Sequence, residues 1–205
     1  MTAVLLAPIL CALTWALPDG SHFPVKSKAR TEGVTAFEAQ WFGKVLAQMN
    51  EPPLPEFAKD VKADVYRMMI LSTWGNSILV RVEKHGTRYS LSARRLGGQA
   101  GFELGKLVEA KNIELSAEDS KTLEQLIQRV SFFQLPTDDG VLGHDGEEWI
   151  LEGVSQGKYH VAKRWYASSY NAEKRGLMAF LRLCKFLVDK SGLTERPMNK
   201  RHKLI

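Results

Sequence analysis

The sequence predicts an α+β fold: an antiparallel β-sheet of about five to six strands, two main helices packed on one face, and an N-terminal helix. Three observations support this prediction. Apolar residues recur at helical spacing near both ends of the chain, extended runs separated by turn residues fill the centre, and a second pair of such runs follows the middle helix. The chain has 205 residues, 44% of them hydrophobic, so it can bury a core without disulfides.

The first helix is predicted from Thr35 or Ala36 to Met49. Its apolar residues recur at helical spacing and are Phe37, Trp41, Val45 and Leu46. Thr35, followed three residues later by Glu38, predicts a capping box at the start of this helix. The prolines at positions 52, 53 and 55 require the helix to end before them.

The central part of the chain predicts four strands, at about 65–72, 78–84, 88–95 and 106–113. His85-Gly86 is typical of a hairpin turn, and residues 96–101 predict a glycine loop. Val80 and Val82 alternate with Arg81 and Glu83, so we expect one face of the sheet to be in contact with water.

The second half of the chain predicts a helix, a hairpin and a final helix. Ser116 with two following acidic residues is typical of a helix start. Residues 149–154 and 159–165 predict a hairpin around Gln156-Gly157. The last helix is predicted at about 172–190, and Cys184 on its apolar side is expected to be a buried, inert thiol.

Residues 1–17 predict a signal peptide or N-terminal apolar segment. Ala3 to Leu17 carry no charge, and a helix of this length would reach about 22 Å, less than the roughly 30 Å of a bilayer core. Thr14 and Ala16 are small residues at the usual cleavage positions. We therefore expect an exported protein, periplasmic or extracellular. The alternatives are a buried N-terminal helix and a protein anchored in the membrane by an uncleaved N-terminal segment.

The rest of the chain is predicted to consist of a flexible lead-in at 18–34, a single α+β domain at 35–192 and a basic tail at 193–205. The 28 basic and 23 acidic residues give a net charge of +5, and residues 158–205 alone have 12 basic and 3 acidic residues. Such asymmetry favours an anionic partner, reached through the tail, although a solvated tail is the simpler alternative. The composition excludes wholesale disorder, collagen and a transmembrane bundle.

Two motif patterns bear on catalysis. Residues 153–157 match G-x-S-x-G, but a hydrolase elbow needs a helix after the serine, and a strand is predicted there instead. The five histidines show no metal-binding spacing, so we predict no metal and no cofactor. No residue is assigned a catalytic role.

The hairpin at 145–166 holds the densest cluster of polar and aromatic residues. Its predicted pairing sets Trp149 opposite Arg164, which suggests a cation–π pair, and makes Glu152 and Lys163 diagonal neighbours that could pair. The candidate ligand-binding residues are Glu152, His160, Arg164, Trp149 and Asp145. The alternative is that these side chains form a network that stabilises the sheet.

Several short elements occur in a characteristic order. They are Trp41 with Glu51-Pro52-Pro53-Leu54; Tyr66-Arg67; Gly97-Gly98 with Gly101-Phe102 and Gly105; Phe132-Phe133 with Leu135-Pro136; Asp145-Gly146 with Trp149 to Gly153; and Tyr159-His160-Val161 with Arg164-Trp165. Over residues 41–190 the chain resembles a family of exported bacterial proteins of unknown function. The family has Ser-Pro after the Arg-Trp pair, where this chain has Tyr166-Ala167. The resemblance implies export and assigns no catalytic residues.

Three functional hypotheses follow. The first is an exported, non-enzymatic binding or envelope-associated protein with an unknown protein or envelope partner. The second is a small hydrolase or ligand-processing enzyme with a cleft at the 145–166 hairpin. The third is a basic module that binds anionic lipid or nucleic acid through residues 174–203.

Overall fold

The computed structural model describes residues 21–27, 33–143, 145–168 and 171–194. These residues contain three α-helices, α1 (Ala36–Gln48), α2 (Ala117–Val130) and α3 (Met178–Lys190). Six strands are present in the same part of the chain, β1 (Asp64–Ser72), β2 (Asn76–His85), β3 (Arg88–Gln99), β4 (Leu107–Glu114), β5 (Glu147–Ser155) and β6 (Lys158–Trp165). The apolar segment at 1–17 and residues 195–205 of the basic tail lie outside the described residues.

The six strands form one antiparallel sheet in the order β4-β3-β2-β1-β5-β6. Strands β1 to β4 form a meander, and the chain then returns through α2 so that β5 pairs with the free side of β1. Met68 of β1 accordingly lies between Val80 of β2 and Leu151 of β5. The α+β fold predicted from the sequence is confirmed.

Both faces of the sheet are covered. Met68, Val80 and Leu151 point to the face on which α2 and α3 pack, here called the helix-pair face. Met69 and Ile150 point to the opposite face, which α1 and the 3-10 turn Leu54–Lys59 cover and which we call the α1 face. The two main helices therefore lie on one face as predicted, but the other face is not left in water.

The expectation of a wet face rested on Arg81 and Glu83, which do point to the α1 face. There Arg81 Nε donates to Glu51 Oε2 at 2.8 Å, so its charge is compensated beneath the segment that follows α1. Leu79, two residues earlier on the same face, is fully buried. The alternation of polar and apolar residues in β2 could not show that α1 and the segment after it cover this face of the sheet.

The start of α1 is fixed by the predicted capping box. The backbone N–H of Glu38 donates to the Thr35 hydroxyl at 3.2 Å, and the Thr35 backbone N–H donates to the Glu38 carboxylate at 2.8 Å. These two bonds satisfy backbone groups that a helix end otherwise leaves unpaired. The helix consequently begins where the sequence predicts.

Two predicted segments differ in the structure. Within the expected flexible lead-in, Phe23 is fully buried and its ring meets that of Phe42 edge-on at 5.6 Å, so residues 21–27 pack against α1. The last helix begins at Met178 rather than near 172, because Gly176 adopts a left-handed φ of 70° that interrupts a helix. Cys184 of this helix is buried as predicted, and burial raises the pKa of its thiol.

The predicted glycine loop at 96–101 begins later than expected, because β3 continues through Gln99. The N–H of Gln99 donates to the carbonyl of Glu103 at 2.7 Å, which closes a tight turn after the strand. No helix in the described ranges is long and apolar enough to cross a membrane.

Candidate functional site

The hairpin formed by β5 and β6 has the predicted register. Trp149 lies opposite Arg164 and Gly153 lies opposite His160. The turn is made by Gln156 and Gly157, both with left-handed φ values, 52° and 72°. Ser155 is followed by a turn and a strand rather than a helix, so residues 153–157 do not form a hydrolase elbow.

The three residues proposed to share a cleft are separated by the sheet. Side chains alternate along a strand, and Glu152 points to the α1 face whereas His160 and Arg164 point to the helix-pair face. All three side chains are buried. The structure therefore does not bring Glu152, His160 and Arg164 together in one cleft.

Glu152 belongs to a buried ion network. Its carboxylate lies 2.7 Å from Arg67 Nη2, and it accepts a hydrogen bond from the Tyr159 hydroxyl at 2.8 Å. Arg67 Nη1 donates to the carbonyl of Pro52 at 2.7 Å and lies 3.6 Å from Glu51. Burial raises the pKa of Glu152, and the charge of Arg67 opposes that shift. The network ties the segment after α1 to the middle of the sheet.

The predicted pairing of Glu152 with Lys163 does not occur, because Arg67 occupies the position directly opposite Glu152 on β1. Sequence reasoning missed Arg67 and Glu51 as partners. Both belong to short elements noted in the sequence, Tyr66-Arg67 and Glu51-Pro52-Pro53-Leu54, and these elements were the available signal. Their proximity depends on β1 pairing with β5, a contact between distant parts of the chain.

His160 and Arg164 hold the segment after α2 against the sheet. The His160 ring lies 5.1 Å from the Phe132 ring, roughly edge to face. The Arg164 guanidinium donates to the carbonyls of Pro136 at 3.0 Å and Thr137 at 3.1 Å. It also lies 5.7 Å from the ring of Phe180 on α3, so its aromatic partner is not the predicted Trp149.

Trp149 and Asp145 occupy different environments. Trp149 is buried, and its indole N–H donates to Glu147 Oε2 at 3.0 Å. Asp145 is exposed, and its carbonyl accepts a hydrogen bond from the Trp165 indole at 2.9 Å. Of the five predicted site residues, Asp145 lines the cavity that lies beside the open end of the hairpin.

That cavity, here called the aromatic groove, has a volume of about 600 Å³. It lies on the α1 face, between the start of α1, the turn after β3 and the open end of the β5–β6 hairpin. Its aromatic and large apolar lining residues are Phe37, Trp41, Leu71, Phe102, Leu142 and Trp165. Its charged lining residues are Glu38, Asp145, Glu147, Glu148 and Lys163.

Large apolar side chains border the groove without being covered. Phe37 is 73% exposed, Phe102 is 67% exposed and Leu142 is 76% exposed. Trp41 is held in place because its indole donates to the carbonyl of Ala100 at 3.2 Å. Exposed apolar groups clustered around a concave surface are typical of a binding site.

The charged side of the groove is formed by an ion pair and a partly buried carboxyl. Lys163 Nζ lies 2.9 Å from Glu38 Oε1, which joins β6 to the first turn of α1. Burial raises the pKa of Glu148 to about 7, Lys163 opposes this shift, and Glu38 and Asp139 add to it. Within the described part of the chain, the carboxyl group of Glu148 forms no hydrogen bond or ion pair. Glu148 also lines the aromatic groove.

Sequence reasoning missed Phe37, Phe102, Glu148 and Lys163 as possible site residues. Phe37 was assigned to the apolar stripe of α1, and Phe102 lay between the predicted glycine loop at 96–101 and the strand predicted at about 106–113. Lys163 was considered only as a partner for Glu152. Fourteen residues separate Glu148 from Lys163 along the hairpin, and only the pairing of β5 with β6 brings both to the same end of the sheet.

Among the described residues, no three His, Cys, Asp or Glu side chains converge as a metal site would require. No model of a known protein family matches the chain. No curated protein matches it either. The aromatic groove is a candidate ligand site on the α1 face of this α+β fold.

Proposed function

We propose that this chain is an exported, non-enzymatic binding protein that takes its ligand in the aromatic groove. The observation that carries the proposal is the exposure of Phe37, Phe102 and Leu142 around a cavity of about 600 Å³. A volume in this range suits a small molecule. The export part of the proposal rests on residues 1–17 and on the resemblance to exported bacterial proteins.

The physical basis of binding would be the apolar surface that these side chains leave in water. Removing apolar surface from water is favourable by about 25 cal/mol per Å². A ligand that covers the rings of Phe37 and Phe102 would gain this free energy without disturbing the core, because both rings lie outside it. The capping box, and the ion pair of Glu38 with Lys163, fix the first turn of α1 and so hold Phe37 in position.

The enzyme hypothesis is less well supported because its proposed residues lie on opposite faces of the sheet.

The hypothesis of a basic module is weakened by existing ion pairs. Arg175 Nη2 lies 2.7 Å from Asp139, Lys185 Nζ lies 2.9 Å from Asp189, and Lys190 Nζ lies 2.7 Å from Asp119. These three cations from the 174–194 stretch already have acidic partners within the fold.

The test is a screen of water-soluble fragments (amines, alcohols, sugars and dipeptides) by ligand-observed NMR. The wild-type protein is compared with a Phe37→Ala/Phe102→Ala double variant. Val61→Ala is the matched control, because Val61 is 70% exposed and does not line the groove. We expect at least one fragment to bind the wild type and Val61→Ala equally and to lose at least tenfold in affinity for the double variant.

The proposal fails if no fragment binds, or if every fragment that binds the wild type binds the double variant equally well. Circular dichroism and thermal unfolding of all three proteins establish that the substitutions leave the fold intact. Since Phe37 and Phe102 are mostly exposed, we expect the double variant to unfold within a few degrees of the wild type.

A further inference from the structure

We propose that the aromatic groove selects a small organic cation, a molecule with an ammonium or guanidinium group on a partly apolar body. This inference rests on the proposed function and names the class of ligand. It is carried by the combination, in one cavity, of exposed rings and an excess of carboxylates.

The charges lining the groove are unbalanced. Glu38, Asp145 and Glu148 line the cavity with a single cationic residue, Lys163. Glu147 also borders the cavity, but its carboxylate accepts a hydrogen bond from Trp149, which points to the helix-pair face. Lys163 is already paired with Glu38 at 2.9 Å. The cavity is therefore complementary to a positive charge and repels an anion.

The rings in the wall favour the same type of ligand. A cation close to an aromatic face is attracted by the ring's electron distribution, by about 0.5–1 kcal/mol at an exposed site and more where water is excluded. Phe37, Trp41 and Phe102 border the cavity beside its carboxyl groups. An organic cation can use both features at once, whereas a neutral apolar ligand gains nothing from the carboxylates.

A metal ion fits the groove less well than an organic cation. Calcium and magnesium require several converging oxygen ligands at 2.0–2.6 Å. The carboxyl groups of the described residues do not converge in this way. Glu147 is also engaged, since it accepts the indole N–H of Trp149 at 3.0 Å.

Glu148 is the carboxyl expected to contact the positive charge. It is partly buried and lines the cavity, and its carboxyl group forms no hydrogen bond within the described part of the chain. The charged groups acting on it are Lys163 of β6, Glu38 of α1, Asp139 of the loop before β5, and Arg164. A bound cation would supply the counter-charge that Lys163, already paired with Glu38, does not fully provide.

The state of Glu148 makes binding depend on pH. Burial raises the pKa of Glu148 to about 7, so its carboxyl is mostly protonated at pH 6 and mostly ionised at pH 8. Only the ionised form attracts a cation. We therefore expect cation affinity to rise severalfold between pH 6 and pH 8, and a Glu148→Gln variant to lose this dependence.

The experiment compares two cations with their neutral isosteres by NMR titration of the full chain. The pairs are choline with 3,3-dimethyl-1-butanol, and phenethylamine with 2-phenylethanol. We expect at least one cation to bind tenfold or more tightly than its isostere at pH 8. Glu148→Gln should remove most of that preference and leave the affinity of the neutral isostere unchanged.

Glu118→Gln is the matched control, because it removes the same charge from an exposed position at the start of α2, away from the groove. It should bind both members of each pair as the wild type does. If the wild type binds the cation and its isostere equally well, and the Phe37→Ala/Phe102→Ala variant binds neither, the inference of cation selection is overturned. The proposed binding function would then still stand. A cation preference that Glu148→Gln does not reduce, or no binding of either cation, would also overturn this inference.

Discussion

At the scale of single residues, Glu152 shows how a buried charge can serve packing instead of ligand binding. Its two carboxylate oxygens are occupied by Arg67 and by the hydroxyl of Tyr159. Arg67 in turn reaches the carbonyl of Pro52 and approaches Glu51. A buried ion that is fully partnered in this way is costly to disturb, because each removed partner leaves another polar group without compensation.

We expect Glu152→Ala to lower the free energy of unfolding by about 3–5 kcal/mol, because Arg67 would then remain buried without its carboxylate partner. Urea denaturation followed by circular dichroism measures the change. The control is Glu56→Gln, which breaks an exposed ion pair with Lys59 and should change stability by no more than about 0.5 kcal/mol. A Glu152→Ala protein with wild-type stability and impaired fragment binding would return Glu152 to the list of ligand residues.

At the scale of secondary-structure elements, α1 connects the core with the candidate site. Phe42, Val45 and Leu46 are buried in the core on the α1 face of the sheet. Phe37 and Trp41, near the start of the same helix, border the aromatic groove. One amphipathic helix therefore both closes the core and presents the rings that we propose contact the ligand.

Two glycine substitutions should change stability in opposite directions. Gly43→Ala should raise the free energy of unfolding by about 0.5–1 kcal/mol, because alanine has a higher helix propensity than glycine. The new Cβ would fit, since the nearest atom, His22 Nδ1, is 3.6 Å away, an ordinary van der Waals distance. Gly153→Ala should lower the free energy of unfolding by about 1–3 kcal/mol, because its Cβ would lie 2.6 Å from the Phe132 ring and 2.8 Å from the Tyr66 ring. Thermal unfolding of both variants checks this pair, and a loss at Gly43 or a gain at Gly153 would contradict the packing described.

At the scale of the whole molecule, the features predicted correctly are those encoded by neighbouring residues. The capping box of Thr35 and Glu38 fixed the start of α1, and the turn at Gln156-Gly157 fixed the register of the hairpin. Two features that depend on distant parts of the chain were not predicted. The pairing of β1 with β5 places Arg67 opposite Glu152, and α1 covers the face that the alternation of Arg81 and Glu83 suggested was wet.

The candidate site was harder to predict than the fold for the same reason. The sequence indicated the correct hairpin but selected the residues on it by chemical type. The arrangement of the strands and helices decides to which side of the sheet each residue points. It also decides which helix covers that side. Of the predicted set, Asp145 lines the groove, whereas Glu148 and Lys163 of the same hairpin were not selected for it.

The proposed export of the molecule is tested by its mass and location. The full-length chain is produced in a Gram-negative host and recovered from the periplasmic and cytoplasmic fractions. If residues 1–17 act as a signal peptide, we expect a periplasmic protein shortened at its N-terminus near Ala16 or Leu17. A variant with Leu5 and Leu6 replaced by Arg should remain cytoplasmic and uncut. Full-length wild-type protein found only in the cytoplasm would contradict export.

The outer strands of the sheet have a consequence for solubility. An uncovered strand edge can act as a template onto which a strand from another molecule adds, which leads to fibres and precipitates. At one edge, the backbone N–H of Lys163 in β6 already donates to the carbonyl of Thr137, so this donor is not free to pair with another strand. At the other edge, β4 carries Glu109, Lys111 and Glu114, and charged side chains oppose such addition. We therefore expect this protein to resist aggregation through its edge strands at high concentration, as long as the hydrogen bond at β6 and the charges on β4 are kept.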